Sequence, residues 1–204
     1  MGFYSRVIFP RICDFLLDTP LVREHRQKLL APADGRILEI GFGTGLNLPH
    51  YPSSVRQITA VDPNPGMLNL AARRIAQTQI EVDRRILSGE RLPLESDSFD
   101  CVVSTFTLCS IRNVSQALVE IFRVLKPGGR FLFFEHGLSP DPAVQKWQRR
   151  LNWLQKRLGD GCHLDRNMCD LIAKQTFSRL ESTEFYLENM PQTHAFIYTG
   201  SATK

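Results

Sequence analysis

The chain has 204 residues, of which 43% are hydrophobic and 23% are charged, and its formal net charge at pH 7 is +4. These proportions are typical of one globular domain, and they argue against a disordered chain or a dedicated nucleic-acid binder. No run of about 18 apolar residues is present, so the sequence predicts no membrane-spanning helix.

The five cysteines also bear on the class of protein. Their number is odd and they show no C-x-x-C spacing, which predicts free thiols in a reducing compartment and hence a cytoplasmic protein. Cys162, His163 and Cys169 lack the spacing of a zinc site, so no metal is expected. The cysteines are Cys13, Cys101, Cys109, Cys162 and Cys169.

Residues 1–34 predict two or three short helices around Pro10 and Pro20, which form a cap over a cofactor face. From residue 35 onwards, strand and helix patterns alternate. Apolar runs at 37–40, 58–61, 86–87, 101–103 and 131–134 predict buried strands, and 67–76 and 115–125 have helical periodicity. The alternation predicts an α/β fold, with a mostly parallel sheet covered by helices on both faces, over a cofactor-binding core of residues 35–137.

Residues 138–165 are interpreted as a substrate-lid insertion that contains an amphipathic helix. Trp147, Leu151, Leu154 and Leu158 recur at helical spacing, with basic residues largely on the other faces. Two interpretations stay open: the helix packs on its own core with a solvated basic face, or the basic face, with Trp153, contacts an anionic membrane. Residues 166–204 predict a helix and a closing β-hairpin from strands at 179–187 and 194–200, within the same single domain.

A glycine turn after the first predicted strand is the strongest functional signal. Gly41, Gly43 and Gly45 fall within five residues, where the backbone has to turn sharply or approach a ligand without an intervening Cβ. A dinucleotide fingerprint would be G-x-G-x-x-G, and here the third glycine comes one residue early. Glu39, two residues before the turn, suits the ammonium group of S-adenosylmethionine better than a phosphate, because the Coulomb interaction changes sign.

Asp62 follows the second predicted strand about 20 residues past the glycines, where a carboxylate accepts hydrogen bonds from ribose hydroxyls. The same residue also suits a turn or helix cap before Pro63 and Asn64. The ribose role is preferred because of the position of Asp62 in the βαβ unit.

Several segments follow one another in this order: the glycine turn with Glu39, then Asp62, residues 92–94 and 98–100, and the R-V-L-K-P-G-G segment at 123–129. Together they resemble the class I S-adenosylmethionine-dependent methyltransferases. The resemblance is to their ubiquinone/menaquinone-biosynthesis-like branch and covers about residues 35–136. It implies a Rossmann-like seven-stranded sheet whose last strand is antiparallel. It also implies a set of cofactor-binding positions: Glu39, Gly41, Gly43, Gly45, Asp62, Met67, Ser88, Gly89 and Glu90, to which we add Thr105 after the fourth strand.

A narrower resemblance, to the microsomal alkyl thiol methyltransferases and their bacterial relatives, lies in four short segments: 88–90, 107–110, 135–136 and 159–162. At Ser88 and Gly89 the chain departs from the Asp-Ala that is commonest in the class. A hydroxyl there lacks the charge of a carboxylate, so we expect modest cofactor affinity.

Two residues are candidates for the catalytic base. Methyl transfer to a thiol or hydroxyl requires in-line positioning and removal of a proton. His136, at the end of the fifth strand, titrates near neutral pH, and Asp160 lies in a glycine-rich turn. A histidine bonded to the backbone at a strand end is an equally good interpretation of His136.

The sequence therefore predicts a methyltransferase that uses S-adenosylmethionine on a small, apolar acceptor such as a thiol, a quinone precursor or a lipid headgroup. Contact with an anionic membrane is the one further partner considered, and no nucleic-acid partner is expected. The alternatives are a catalytically inert S-adenosylmethionine-binding module and a nicotinamide-dependent reductase, which would need another phosphate-binding turn.

Overall fold

A seven-stranded sheet forms the centre of the protein, in a computed structural model that describes residues 2–204 with the exception of the Leu68 side chain. Its strands are β1 (Ile37–Ile40), β2 (Gln57–Val61), β3 (Glu81–Arg85), β4 (Phe99–Thr105), β5 (Leu125–His136), β6 (Arg179–Tyr186) and β7 (Phe196–Thr203). They lie in the order β3-β2-β1-β4-β5-β7-β6. The first five strands are parallel, whereas β7 runs antiparallel to β5 and to β6. The predicted mostly parallel sheet and the C-terminal hairpin are confirmed.

The helices are α1 (Phe9–Leu17), α2 (Pro20–Leu30), α3 (Pro65–Gln77), α4 (Val114–Val124), α5 (Pro142–Leu158), α6 (Met168–Ala173) and α7 (Gln192–Ala195), and a short π-helical segment (Tyr4–Ile8) precedes α1. Three of them begin with the same local signal. Thr19, Asn64 and Asp141 each accept a hydrogen bond from a backbone N–H of the first turn, and proline follows each of them directly. A polar cap followed by proline starts a helix at a defined residue, which explains these boundaries.

The core consists of two apolar layers, one on each face of the sheet. On β5, Phe131 and Phe133 belong to one layer, and Leu132 and Phe134 belong to the other. Successive strand residues point to opposite faces, so a strand covered on both faces is apolar throughout. This is why the central strands were recognisable as continuous apolar runs.

The third strand is where the sequence prediction was wrong. It was predicted at 86–87, whereas β3 is Glu81–Arg85, and the Ile86 side chain is 60% exposed. As an edge strand of the sheet, β3 pairs with β2 alone, and most of its side chains are charged. Burial on both faces is absent there, so the apolar signal used for the other strands is absent as well.

The α5 helix buries a mostly polar face. Val144, Gln148 and Asn152 are buried. Of the predicted apolar stripe, Leu151 is half-buried and the other three residues are exposed, so the interpretation that the stripe packs on the core is wrong; the exposed residues are Trp147, Leu154 and Leu158. The Gln148 amide nitrogen donates to the Gly137 and Thr193 carbonyls at 2.9 and 3.1 Å, and its oxygen accepts from Ser139 N at 3.0 Å. Hydrogen bonds to the loop before α5 and to α7 thus orient this helix.

Strand order determines where a ligand can bind. β1 and β4 are neighbours in the sheet, but the chain continues from β1 to β2 on one side of this pair and from β4 to β5 on the other. The connections that follow β1 and β4 therefore diverge. In open α/β sheets the crevice at such a point, outside the carboxyl ends of the strands, is where ligands bind.

Among residues 2–204, no helix is both long enough and apolar enough to cross a membrane.

Candidate active site

A cavity of about 370 Å³ opens at the carboxyl edge of the sheet, beside the ends of β1, β2 and β4. This volume falls within the range of small-molecule binding sites. Gly45 and His136 do not line the cavity, but the other predicted site residues do: Glu39, Gly41, Gly43, Asp62, Met67, Ser88, Gly89, Glu90, Thr105 and Asp160.

The glycine turn forms one wall of the cavity. Gly41, Gly43 and Gly45 all have positive φ, at +71°, +57° and +80°, a region that side-chain-bearing residues rarely adopt. A Cβ on Gly41 would lie 2.0 Å from Thr107 Oγ1, so packing as well as conformation demands glycine there. Gly45 shapes the turn from behind, because its nearest side chains are Leu48 and Phe42.

Glu39 is buried beneath this turn and is held by two side chains. The Tyr51 hydroxyl donates to Oε2 at 2.6 Å, and the Asn47 amide donates to Oε1 at 2.9 Å. Burial raises the pKa of Glu39 to about 7, although both hydrogen bonds oppose this shift. A positive group arriving in the cavity would favour the ionised form of this carboxyl.

Arg26 was not predicted as a site residue, yet its buried side chain lines the cavity. Its Nη1 donates to Asn47 Oδ1 at 2.6 Å and to Thr105 Oγ1 at 2.8 Å, whereas its Nε is buried without a partner among the described residues. Burial lowers the pKa of Arg26 to about 10, which leaves the guanidinium charged at neutral pH. Helical spacing from Val22 to Leu29 and Leu30 was the signal that could have placed Arg26 on the buried face of α2.

Asp62 makes two backbone hydrogen bonds, one of which is the turn-forming bond considered from the sequence. Its Oδ1 accepts from Asn64 N at 2.8 Å, which is the turn-forming role, and its Oδ2 accepts from Gly43 N at 2.9 Å. Burial raises the pKa of Asp62, and the two backbone hydrogen bonds partly offset this effect. Because a carboxylate has about four acceptor positions, capacity remains for a ligand.

The turn predicted at the adenine edge is tied to α4. Ser88 Oγ accepts from Glu90 N at 3.2 Å, and Glu90 Oε1 accepts from Asn113 N, next to the first residue of α4, at 2.6 Å. A Cβ on Gly89 would lie 2.9 Å from Ile40 Cγ2, so this turn packs closely against β1.

The N-terminal helices cover the cavity from outside. Phe9, Cys13 and Leu17 of α1 line it, and Asp14 anchors α1 to the glycine turn. The Asp14 carboxylate accepts from Thr44 Oγ1 at 2.6 Å and from Arg74 Nη1 at 2.6 Å. The sequence predicted a cap in this region but not these contacts, because they join segments 30 and 60 residues apart.

The two predicted catalytic residues lie in different environments. Asp160 lines the cavity and accepts a hydrogen bond from the Ser5 hydroxyl. His136 lies behind Phe106, with ring centroids 6.5 Å apart, and its Nε2 is 2.9 Å from Cys162 Sγ. Burial lowers the pKa of His136, but the charge of Cys162, the hydrogen bond with Cys162 and the charge of Glu135 together outweigh burial and leave the pKa raised. The hydrogen bond from Cys109 and the charge of His136 lower the pKa of Cys162.

Comparisons with known proteins agree with this geometry. A family model described as a methyltransferase domain matches residues 38–133. The chain is 39% identical over 149 residues to thiol S-methyltransferase TMT1B of Rattus norvegicus, a match that covers 71% of this chain and 61% of that protein. It is 31% identical over 166 residues to the uncharacterized methyltransferase YodH of Bacillus subtilis, covering 80% of this chain and 69% of YodH. The chain thus spans about three fifths of the length of the thiol S-methyltransferase.

The fold is shared with solved methyltransferases. The structure superposes on a SAM-dependent methyltransferase of Thermotoga maritima with a TM-score of 0.70, covering 98% of both chains at 20% identity. At that identity the likeness concerns the fold.

Proposed function

Since this chain belongs to the methyltransferase family, we propose that it transfers the methyl group of S-adenosylmethionine to a small thiol. The observation that carries the proposal is the buried Glu39 carboxylate beneath a glycine turn, beside a cavity that a cofactor would fill.

The charges at the cavity fit the methionine end of this cofactor. That end carries an ammonium and a carboxylate, and the cavity offers the Glu39 carboxyl and the Arg26 guanidinium, whose Nε is a buried donor in need of an acceptor. Asp62 would hold the ribose, and Met67 and Ser88 would face the adenine. When bound, S-adenosylmethionine supplies a methyl group on a positively charged sulfur, ready for displacement by a nucleophile.

A nicotinamide cofactor fits this turn poorly. A pyrophosphate binds where backbone N–H groups at the start of a helix point at it. After the glycine turn, the described chain forms a single short helical turn (Leu48–His50) and then enters β2, so no α-helix begins there. This argues against the reductase alternative.

Titration calorimetry with S-adenosylhomocysteine and with NADH tests the cofactor assignment. We expect heat of binding from S-adenosylhomocysteine and none from NADH. Tight NADH binding without S-adenosylhomocysteine binding would contradict the proposal. A methyl-transfer assay with small thiols then separates an enzyme from an inert cofactor-binding module.

The acceptor assignment to thiols rests on the relatives and on the apolar lining of the cavity. The rat relative is named a thiol S-methyltransferase. Four apolar residues line the same cavity as Asp160: Phe9, Leu17, Phe106 and Ile111. Quinone precursors, which also suit an apolar pocket, are the second candidate class. Initial rates with alkyl thiols, phenolic quinone precursors and amines at matched concentrations decide between the classes, and we expect thiols to be fastest.

We assign proton removal to Asp160 in preference to His136. Asp160 lines the cavity, whereas His136 lies behind Phe106 with its Nε2 directed at Cys162. Asp160 would accept the proton of the acceptor thiol as the new carbon–sulfur bond forms. Asp160→Asn should lower turnover at least tenfold without changing affinity for S-adenosylhomocysteine, because general bases contribute about 10²-fold or more. Asp165→Asn, at an exposed aspartate of the same segment, is the matched control.

We also propose that a surface formed by α5 and the N-terminal helices contacts an anionic membrane, from which an apolar acceptor would reach the cavity. Trp147 and Trp153 of α5 are 55% and 63% exposed beside the exposed Arg149 and Arg150. The Tyr4 hydroxyl donates to the Leu158 carbonyl at 2.7 Å, so α5 ends beside the N-terminal helices, which expose Ile8, Ile12, Phe15 and Leu16. Apolar and basic side chains on one helix surface are typical of interfacial binding.

Vesicle sedimentation tests this contact. We expect binding to vesicles of phosphatidylcholine with phosphatidylserine, weaker binding to phosphatidylcholine alone, and loss of binding in a Trp147→Ser/Trp153→Ser variant. Val119→Ser alters an exposed apolar residue of α4 and serves as the control. Equal absence of binding to both vesicle types would rule the contact out.

A further inference from the structure

Three residues that are far apart in the sequence form a buried cluster of metal-ligating groups. Cys109 follows β4, His136 ends β5, and Cys162 follows α5. One ligand atom from each residue lies within 4.8 Å of the others, and all three residues are buried. None of the three lines the cofactor cavity.

We propose that Cys109, His136 and Cys162 bind a soft divalent cation of the zinc type, with the fourth position left to a water molecule. Two cysteine sulfurs and an imidazole nitrogen are a donor set that zinc prefers, and three protein ligands with one open position are characteristic of catalytic zinc sites. The described residues supply no fourth cysteine, histidine or carboxylate to the group.

The spacing of the donor atoms is compatible with a tetrahedral metal. Bonds of about 2.3 Å to sulfur and about 2.0 Å to nitrogen place tetrahedral ligand atoms about 3.5 to 3.8 Å apart. His136 Nε2 and Cys162 Sγ are 2.9 Å apart, and the whole group spans no more than 4.8 Å. Small side-chain rotations therefore suffice to reach the required distances.

The backbone around the cysteines is held in place independently of a metal. The Cys109 carbonyl accepts from His163 N at 2.9 Å and from Arg166 Nη1 at 3.1 Å. Leu164 N, just after Cys162, donates to Asn152 Oδ1 at 3.0 Å. Such support pre-organises ligands, which lowers the entropic cost of binding a metal.

No hydrogen-bond partner of the imidazole is found outside the cluster in residues 2–204. Its second nitrogen, Nδ1, is buried without a hydrogen bond to any of the described residues, so Cys162 Sγ is the only polar group recorded within bonding distance of the ring. A zinc bound at Nε2 would exclude His136 from the general-base role predicted from the sequence, since a coordinated nitrogen has no lone pair left to accept a proton.

Metal content and cobalt spectroscopy test the site without cofactor or acceptor, so the result is independent of the proposed function. The protein is kept reduced with a phosphine and dialysed against zinc or cobalt. We expect one metal ion per chain, and with cobalt the near-ultraviolet charge-transfer absorption that thiolate ligands produce. An unaltered protein that retains no zinc and gives no such absorption would overturn the proposal, whatever the behaviour of its variants.

Substitutions then locate the site. Cys109→Ser and Cys162→Ser should each lower zinc affinity at least a hundredfold, measured by competition with a chromogenic chelator. Cys169→Ser, at a half-buried free cysteine outside the cluster, should leave the affinity unchanged. Equal losses in all three variants would place the metal elsewhere and overturn the assignment.

Discussion

Glu39 and Glu135 occupy similar positions in the sheet but face different surroundings. Each is buried near the carboxyl end of a parallel strand, and burial raises the pKa of each to about 7. Glu39 lines the cavity, whereas Glu135 does not. Glu135 accepts from Ser104 Oγ at 2.7 Å and from Thr107 N at 2.8 Å. One carboxyl is thus placed for a ligand, and the other holds a loop.

Thr107 connects Glu135 to the glycine turn that follows Glu39. Glu135 fixes the backbone N–H of this residue, and the Thr107 side chain occupies the space that a Cβ on Gly41 would need. The loop after β4 therefore braces the glycine turn after β1. A buried carboxyl such as Glu135 can therefore shape a binding site from outside the cavity.

The largest expected effect on stability comes from the contact between Thr107 and Gly41. Gly41→Ala should lower the free energy of unfolding by about 3 kcal/mol, because it adds both a left-handed backbone conformation and overlap with Thr107. Gly43→Ala, where the nearest atom to a new Cβ is 3.8 Å away, should cost about 1 kcal/mol from the backbone alone. Urea unfolding of both variants measures the difference, and equal losses would mean that the Thr107 contact is unimportant.

Replacing Glu39 and Glu135 one at a time by glutamine distinguishes a carboxyl that binds the ligand from one that only holds a loop. Glu39→Gln should weaken S-adenosylhomocysteine binding about thirtyfold, because a charge-assisted hydrogen bond is worth about 2 kcal/mol. Glu135→Gln should change the affinity less than threefold while it lowers the free energy of unfolding. Calorimetry on both variants tests this, and equal loss of affinity would show that the two carboxyls act on the ligand alike.

The pH dependence gives a sharper distinction. The folded-state pKa of each glutamate, about 7, exceeds the unfolded value, so both stabilise the free protein below about pH 4.5 and lose that contribution as the pH rises through 7. Cofactor binding should show the opposite trend, since an ammonium group needs Glu39 ionised. We expect S-adenosylhomocysteine affinity to fall about tenfold from pH 8 to pH 6. Glu39→Gln should flatten this profile, and Glu135→Gln should preserve it.

Removing the neighbouring hydroxyl that donates a hydrogen bond to each glutamate should have the smallest effect. Tyr51→Phe removes a donor that lowers the pKa of Glu39, so at pH 7 it should weaken S-adenosylhomocysteine binding about threefold. Ser104→Ala removes the corresponding donor from Glu135 and should leave the affinity unchanged. Calorimetry at pH 7 decides, and a larger effect from Ser104→Ala would reverse the roles assigned to the two carboxyls.

Much of the fold was predictable because burial on both faces leaves a continuous apolar run. The predicted strands at 37–40 and 58–61 match β1 and β2 to within one residue, whereas the charged edge strand β3 escaped detection. For α5 the periodicity predicted a helix but not its orientation. Hydrogen bonds from Gln148 select the buried face, and one of them reaches Thr193 of α7, 45 residues away in the sequence.

From the sequence alone it was possible to predict that the glycine turn, Glu39 and Asp62 come together, because these residues lie at the carboxyl ends of two consecutive strands, β1 and β2, that pair in parallel. The tertiary structure alone brought Arg26 to Thr105, 79 residues away, and gathered Cys109, His136 and Cys162 behind the cavity. Such contacts depend on how helices and loops pack across the sheet edge. Residue spacing along the chain carries no direct record of that packing.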